Sequence, residues 1–200
     1  MANGTLKVSN IETSSGSGTI TIGQSGETVT IPSGCTITNS GTASGFGGIT
    51  EADGYRLTAN LASDTDPISS NIERIDDDTF SKIGTGVTNT SGTFSFPSTG
   101  LYLVQAQAVV SRDNTNDNLI DFNIKTTPNN STYTTRAVIR QSVTTAPTTQ
   151  TGFTQTFVNV TDTSNVKVRF SFSNSDSNAL IGDTDSTRTG WWFIRLGDSQ

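Results

Sequence analysis

The sequence predicts an all-β protein built as a sandwich or jelly roll, and three observations support this prediction. Only 15% of the 200 residues are charged and 31% are hydrophobic, so Ser, Thr, Asn and Gly are abundant. Thr and aromatic residues suit a half-buried pleated surface, whereas Gly and Asn suit tight turns. Apolar side chains recur at every second residue, as in a strand, and no segment shows the period of a helix. Many short alternating segments separated by polar turns are typical of two packed sheets.

The clearest alternation lies in the central segment, residues 92–110. Phe94 and Phe96 share one face of a predicted strand. Pro97 and Gly100 then interrupt the pattern, as turn residues do. The inward face of the next predicted strand comprises Tyr102, Val104, Ala106, Ala108 and Val110. The segment therefore predicts a hairpin that packs the core, and its structural residues are Phe94, Phe96, Pro97, Gly100 and Tyr102.

Other segments with strand character precede and follow this hairpin. In chain order they are residues 55–61, 72–75, 80–87, 119–125, 133–143, 153–160, 166–172 and 190–196. The alternation in 166–172 is complete, because Val and Phe occupy one face and Lys, Arg and Ser the other. Together with the hairpin, these segments supply enough strands for two packed sheets.

Residues 1–48 differ from the rest and are predicted to form an N-terminal repeat or anchor segment, followed by a jelly-roll domain at 49–200. Short β-branched runs at 19–22, 28–31 and 36–38 recur about every eight or nine residues, separated by Gly and Pro turns. Each run has too few Ile and Val side chains to bury a core alone. The segment is therefore either a flexible linker or a stalk of short strands ordered by identical segments of other chains. The regular recurrence of Ile and Val favours the stalk.

Charge and residue content exclude several classes of function. The net charge of -6 repels a nucleic-acid backbone, so we expect no nucleic-acid partner. The chain contains no His, which removes the commonest general base and the commonest transition-metal ligand. Its one cysteine, Cys35, has no second cysteine for a disulfide and no His for a catalytic pair. The sequence therefore predicts a protein that is not an enzyme and that needs no cofactor.

One run of carboxylates has two interpretations, and one of them is a cation-binding site. Asp76, Asp77 and Asp78, with Asp64 and Asp66 upstream, supply the oxygen ligands that Ca²⁺ prefers. The spacing lacks the glycine and the terminal Glu of an EF-hand loop. Two interpretations remain open, a calcium site at Asp76, Asp77 and Asp78 and a solvated acidic loop.

The central segment resembles a known superfamily. Residues 92–102 match the pattern Gly-x-Phe-x-x-Pro-x-x-Gly-x-Tyr of the jelly roll found in the complement globular head and tumour necrosis factor. Residues 152–160 and 166–170 resemble the penultimate strands of that superfamily, and residues 192–196 resemble its last strand. The resemblance covers residues 50–197. It implies a homotrimer in which one sheet of each subunit faces the threefold axis.

Two adjacent tryptophans give an independent reason to expect an interface. Consecutive residues of a strand point to opposite faces, so Trp191 and Trp192 cannot both enter one core. One of them is either partly exposed at a domain end or covered by a neighbouring chain. Burying so large an aromatic side chain gains about 2–3 kcal/mol, which favours the neighbouring chain. We therefore predict a trimer interface that includes Trp191, Trp192 and Phe193.

The N-terminal repeats resemble stretches of marine and cyanobacterial bacteriophage fibres. The shared features are Ile-Pro-Ser-Gly at residues 31–34 and Asn-Ser-Gly-Thr-Ala at residues 39–43. This resemblance implies a virion protein assembled in the host cytoplasm. The first residues lack the apolar core of a signal peptide or a membrane span, so we expect neither export nor membrane insertion.

The leading hypothesis is a phage virion structural protein, a trimeric tail fibre, spike or capsid decoration. Its residues 1–48 contact other virion proteins, and its polar loops serve host attachment by touching a host-surface glycan or protein. The alternative is a bacterial complement-like lectin or adhesion module. An enzyme subunit is the weakest of the three.

Overall fold

The chain divides into two compact units, Met1–Gly45 and Phe46–Gln200. The computed structural model describes residues 9–14, 18–38, 48–62, 64–77, 79–112, 117–143, 148–174 and 178–200. The sequence places the domain boundary after residue 48, three residues beyond this division (48 against 45). None of the described residues lies in a helix long and apolar enough to cross a membrane.

The described part of the first unit forms turns but no strand. Two turns are closed by backbone hydrogen bonds, from Glu27 N to Gln24 O at 3.0 Å and from Cys35 N to Pro32 O at 3.1 Å. Six aliphatic side chains are 42% to 68% exposed, namely Ile11, Ile20, Ile22, Val29, Ile31 and Ile37. The predicted short-strand repeat is therefore not observed in the single chain, because a strand needs a hydrogen-bonded partner. Ordering of this segment by other copies stays a prediction.

The second unit is a sandwich of two antiparallel sheets. Its described residues form eleven strands: β1 (Ala52–Leu57), β2 (Ile72–Arg74), β3 (Thr88–Thr90), β4 (Thr93–Ser95), β5 (Gly100–Arg112), β6 (Asp117–Thr127), β7 (Thr134–Val143), β8 (Thr148–Val160), β9 (Lys167–Asn174), β10 (Asn178–Leu180) and β11 (Gly190–Gly197). This architecture confirms the predicted all-β jelly-roll sandwich.

The six-stranded sheet is organised around β5. On one side β8 pairs with β5 along its whole length, and on the other side β11 and β10 pair with successive parts of it. β1 then pairs with β11, and β2 pairs with β1. The five-stranded sheet has the order β3-β4-β9-β6-β7. Strands that follow one another in sequence therefore often lie in different sheets, as jelly rolls require.

Aromatic side chains from both sheets meet in the core between them. Trp191 of β11 stacks on Phe170 of β9 with ring centroids 4.7 Å apart, and Phe94 of β4 meets Trp191 edge-on at 5.9 Å. Phe122 and Phe193 complete this cluster, and none of the five side chains is more than 1% exposed. Such ring pairs add about 0.5–1.5 kcal/mol each to the gain from burial. One aromatic cluster therefore holds the two sheets together.

The prediction that residues 92–110 form a hairpin is wrong, because the two strands of this segment do not pair with each other. Its inward residues are buried, since Phe94 and Tyr102 are 0% exposed and Phe96 is 4% exposed. However, β4 pairs with β3 and β9, whereas β5 pairs with β8, β10 and β11. Pro97 has no N–H to donate to a ladder, and the short connection that contains it carries the chain from one sheet to the other. Both strands point their apolar residues inward because the core lies between the sheets.

The predicted strand at residues 80–87 is also wrong. Within this segment, which is described in full, only Ile83 pairs, in an isolated bridge to Ala52. Gly84 and Gly86 have φ values of +76° and +80°, a left-handed conformation that interrupts an extended strand. Conversely, the sequence does not predict β10, because three residues are too few to show an alternation.

A buried carboxylate ties β1 to β2 and to the segment before β3. Asp53 is 2% exposed and accepts hydrogen bonds from Arg74 Nε at 3.0 Å, from Arg74 Nη2 at 3.1 Å and from Val87 N at 2.8 Å. Arg74 also donates to the Tyr55 hydroxyl at 2.7 Å, which itself donates to Val87 O at 2.5 Å. Burial and the Asp53 charge raise the pKa of Tyr55 to about 12, so its hydroxyl remains a donor.

Asp53→Asn is expected to lower the free energy of unfolding by about 2–3 kcal/mol, because it leaves the Arg74 guanidinium without its counter-charge. The Arg74 side chain is 32% exposed, which keeps the loss below that of a fully buried pair. Urea denaturation measures the difference. The matched control is Asp121→Asn, whose carboxylate pairs with the exposed Arg140 and should matter little. Equal losses in the two variants would contradict the role assigned to Asp53.

Candidate functional site

An apolar row crosses the outer face of the six-stranded sheet. The strand register places Phe157, Leu103, Ile194, Ala52 and Ile83 opposite one another on five neighbouring segments. Phe157 is 64% exposed and Ile83 is 47% exposed, and the three residues between them are half-buried. We call these five residues the apolar row. Contiguous exposed apolar surface is typical of surfaces that bind another protein.

The next row combines an indole ring with amides. Gln155, Gln105 and Trp192 lie opposite one another on β8, β5 and β11. Gln105 Nε2 donates to Gln155 Oε1 at 3.1 Å. Gly54 lies opposite Trp192 on β1, and a Cβ atom at position 54 would lie 2.9 Å from Trp192 Cδ1. The indole therefore occupies space that a glycine leaves open.

Trp192 borders a cleft of about 340 Å³ on the same sheet face. Its walls include Phe80, Gln105, Gln107, Phe153, Trp192 and Ile194. We call it the aromatic cleft. Phe153, on the edge strand β8, is 57% exposed. Because its walls are mainly apolar, the cleft can bury aromatic or aliphatic groups of a partner.

The three residues predicted for the trimer interface lie on opposite faces of β11. Trp192 points outward and is half-buried. Trp191 and Phe193 are 0% and 1% exposed in the core of the same chain, so a neighbouring chain cannot cover them. The alternation of side chains along a strand forces this separation. Trp191 and Phe193 are therefore core residues, and of the three predicted residues Trp192 alone can contact a partner.

The predicted hairpin residues Phe96, Gly100 and Tyr102 lie around the connection between β4 and β5, where they support the core. The ring centroids of Phe96 and Tyr102 are 4.5 Å apart. The Tyr102 hydroxyl donates to Ser98 O at 3.0 Å, and burial raises its pKa. Gly100 has a φ of +152°, and a Cβ atom there would lie 2.5 Å from Arg195 Nε. These residues shape the connection between the sheets and leave recognition to other surfaces.

The predicted calcium site lies only partly within the described residues. Asp76 and Asp77 follow β2, and Asp78 lies outside the described part of the chain. Asp77 accepts hydrogen bonds from Arg56 Nη1 and Nη2 at 3.0 and 3.1 Å, and Glu73 accepts one from Arg56 Nε at 2.6 Å. Burial alone would lower the pKa of Arg56, but these two carboxylates raise it overall. Asp77 therefore already has a cationic partner.

A calcium site at Asp76, Asp77 and Asp78 stays a prediction. The described residues contain no group of three or more acidic, His or Cys side chains that could hold a metal ion. Upstream, Asp66 pairs with Lys125. Thermal melts separate the two interpretations, because a calcium site raises Tm at millimolar Ca²⁺ by mass action, whereas a solvated loop leaves Tm unchanged.

The exposed aromatic residues of β8 are functional candidates that the sequence analysis did not single out. Phe153 and Phe157 share one face of β8, and Val158 and Val160 share the other. Only one of these faces can enter the core, so the pattern itself signals an exposed apolar set. The residues that continue the row on β5, β11 and β1 carry no such local signal.

Comparison with known proteins identifies the fold. No protein-family model and no curated protein matches the sequence. Eiger, a tumour necrosis factor from S. frugiperda, aligns with a TM-score of 0.55 and 15% identity over 74% of this chain and 94% of its own. Murine APRIL aligns with a TM-score of 0.54 and 10% identity over 73% of this chain and 98% of its own. Vertex protein P5 of PRD1 aligns at 0.45 and 15% identity over 76% and 100%, which is too distant to support an argument.

The alignments with Eiger and with murine APRIL, whose TM-scores both exceed 0.5, show that this chain has the jelly-roll fold of tumour necrosis factor-like proteins. The fold agrees with the resemblance noted in residues 92–102. At 10% and 15% identity, the likeness concerns the fold alone.

Proposed function

We propose that the chain is a phage virion structural protein, a homotrimer that displays its jelly roll as a tail fibre, spike or capsid decoration. The apolar row carries this proposal. It leaves aromatic and aliphatic side chains in water unless another protein surface covers them. The row extends from β8 to the segment after β2, so an interface here involves most of the sheet.

A ring of identical subunits suits this surface. In such a ring each contact joins two different patches of the same protein. The exposed ring of Phe157 and the aromatic cleft are two patches of matching apolar character on one sheet face. The proposed number of subunits, three, comes from the resemblance of residues 92–102 to the complement and tumour necrosis factor jelly roll.

The first unit supports a role in a particle. Its repeats resemble phage fibre sequences, and its described aliphatic side chains are exposed in the single chain. We propose that residues 1–48 contact other virion proteins, and that polar loops of the jelly roll contact a host-surface glycan or protein. The protein then resides in the virion after assembly in the host cytoplasm.

Immunogold labelling tests the virion role. Antibodies against residues 49–200 are expected to label phage particles purified from lysed host cultures that make the protein. Label on bacterial surfaces, with unlabelled particles, would overturn the proposal and favour the bacterial lectin or adhesion module. Particles from a phage whose gene for this chain is deleted serve as the control.

A further inference from the structure

A second cavity, of about 240 Å³, opens at the end of the sandwich where β6 and β8 finish. Its walls include Thr126, Thr127, Arg136, Phe157, Asn159 and Thr161. We call it the polar cleft. The two clefts share no lining residue. The polar cleft is therefore distinct from the aromatic cleft, although Phe157 of the apolar row forms part of its wall.

Arg136 is the one charged residue among those that line the polar cleft. A β-bulge sets its direction, because β6 pairs with residues 135 and 137 of β7 and skips Arg136. Bulges of this kind re-aim a side chain and often occur beside functional sites. Arg136 Nε donates to the hydroxyl of Thr126, a residue only 8% exposed, at 3.1 Å. This hydrogen bond holds the guanidinium at the wall of the cleft.

A second arginine on β7, Arg140, has the carboxylate partner that Arg136 lacks. Arg140 donates from Nε and Nη2 to the two carboxylate oxygens of Asp121, both at 2.7 Å. Within the described part of the chain, Arg136 forms no such ion pair and bonds only to Thr126. Asp162, which follows the cleft residue Thr161 in the chain, accepts hydrogen bonds from its own loop, from Ser164 N at 2.7 Å among others. The cleft therefore presents an unneutralised cation on a chain of net charge -6.

The remaining walls suit a sugar ring. The ring of Phe157 is 64% exposed, and the face of this ring that lines the polar cleft offers an apolar surface for the C–H face of a sugar, whereas its opposite face is left to the subunit contact. The side chain of Asn159 is fixed by two hydrogen bonds to the backbone of Gln200, at 2.6 and 3.1 Å. The volume of the polar cleft lies below ~300 Å³, the size at which pockets for drug-sized ligands begin. A single ring therefore matches the cleft better than an extended ligand.

We propose that the polar cleft binds a sugar residue that carries a carboxylate, of the uronic acid class. The guanidinium of Arg136 pairs with the carboxylate through its Nη groups, and the ring lies against Phe157. The inference rests on the proposed host-surface role for the source of the sugar, whereas the site itself rests on the geometry of Arg136.

Isothermal titration calorimetry with trigalacturonate tests the proposal on the full chain. The matched ligand is the trimethyl ester of trigalacturonate, which has the same rings without the charges. The protein is expected to bind the acid at least about tenfold more tightly than the ester, because the ester cannot form the charge-assisted hydrogen bonds. Arg136→Gln is expected to abolish this preference. The control Arg140→Gln, which removes an arginine already paired with Asp121, is expected to keep it.

Equal affinity for acid and ester, or a preference that survives in Arg136→Gln, would overturn the proposal. Failure to bind either trigalacturonate or a hyaluronan tetrasaccharide, which supplies a second uronic acid, would also overturn it. Light scattering on the same samples reports the oligomeric state separately. A monomer that prefers the acid would overturn the trimer and leave the sugar site standing.

Discussion

Ile194→Asp is expected to convert the proposed trimer into monomers at micromolar concentration. Ile194 lies in the middle of the apolar row, between Leu103 and Ala52. An aspartate at this position would carry its charge into the interface, and taking an unpaired carboxylate out of water costs several kcal/mol. Size-exclusion chromatography with light scattering measures the mass. The unaltered protein should give about three times the 21.1 kDa of one chain, and the variant should give the mass of one chain.

Val138→Asp is the matched control for this experiment. Val138 is 45% exposed on β7 of the five-stranded sheet, away from the apolar row. The Val138→Asp variant should remain trimeric, because a charge at this exposed position stays solvated by water. A monomeric unaltered protein would remove the trimer from the proposed function. A trimeric Ile194→Asp variant would instead place the interface on another surface.

Trp191→Ala is expected to lower the free energy of unfolding by about 3–5 kcal/mol. The indole is fully buried and contacts rings from the opposite sheet, including Phe170 and Phe94. Alanine would leave a cavity between the sheets that neither can close without moving. Such a loss is a large part of the roughly 5–15 kcal/mol that stabilises a typical domain. Urea denaturation in the monomeric Ile194→Asp background measures it without a contribution from association.

Trp192→Ala is the matched comparison, one position further along β11. Its indole lies on the outer face, so in the monomeric background the loss should be well under half of that for Trp191→Ala. In the unaltered background the same substitution should weaken the trimer, because Trp192 borders the aromatic cleft. A larger unfolding loss for Trp192→Ala than for Trp191→Ala would contradict the orientation of β11.

Local alternation predicted which side chains enter the core but not how the strands pair. Phe94, Tyr102 and Val104 are buried as expected, because alternation depends only on neighbours within one strand. The partner of each strand depends on residues far away in the chain. Local sequence therefore predicts a hairpin wherever a short turn joins two strands, although β4 and β5 lie in different sheets.

The candidate site depends on register, which the sequence does not display. The apolar row joins five segments, and its continuity exists only when all of them are paired. The acidic run after β2 shows the same limit. The sequence displays the carboxylate of Asp77, whereas its partner Arg56 lies 21 residues earlier on β1. The pairing of β1 with β2 brings the two elements together.

The turn between β4 and β5 has a consequence for the order in which the protein folds. Phe96 and Tyr102 are six residues apart in the chain (102 less 96), yet their rings meet inside the core at 4.5 Å. Most pairings in the sandwich join distant residues, as Ala52 and Ile194 do. Closing a short loop costs far less conformational entropy than closing a long one. We therefore expect this contact to form early and to bring the two sheets together before the edges of either are complete.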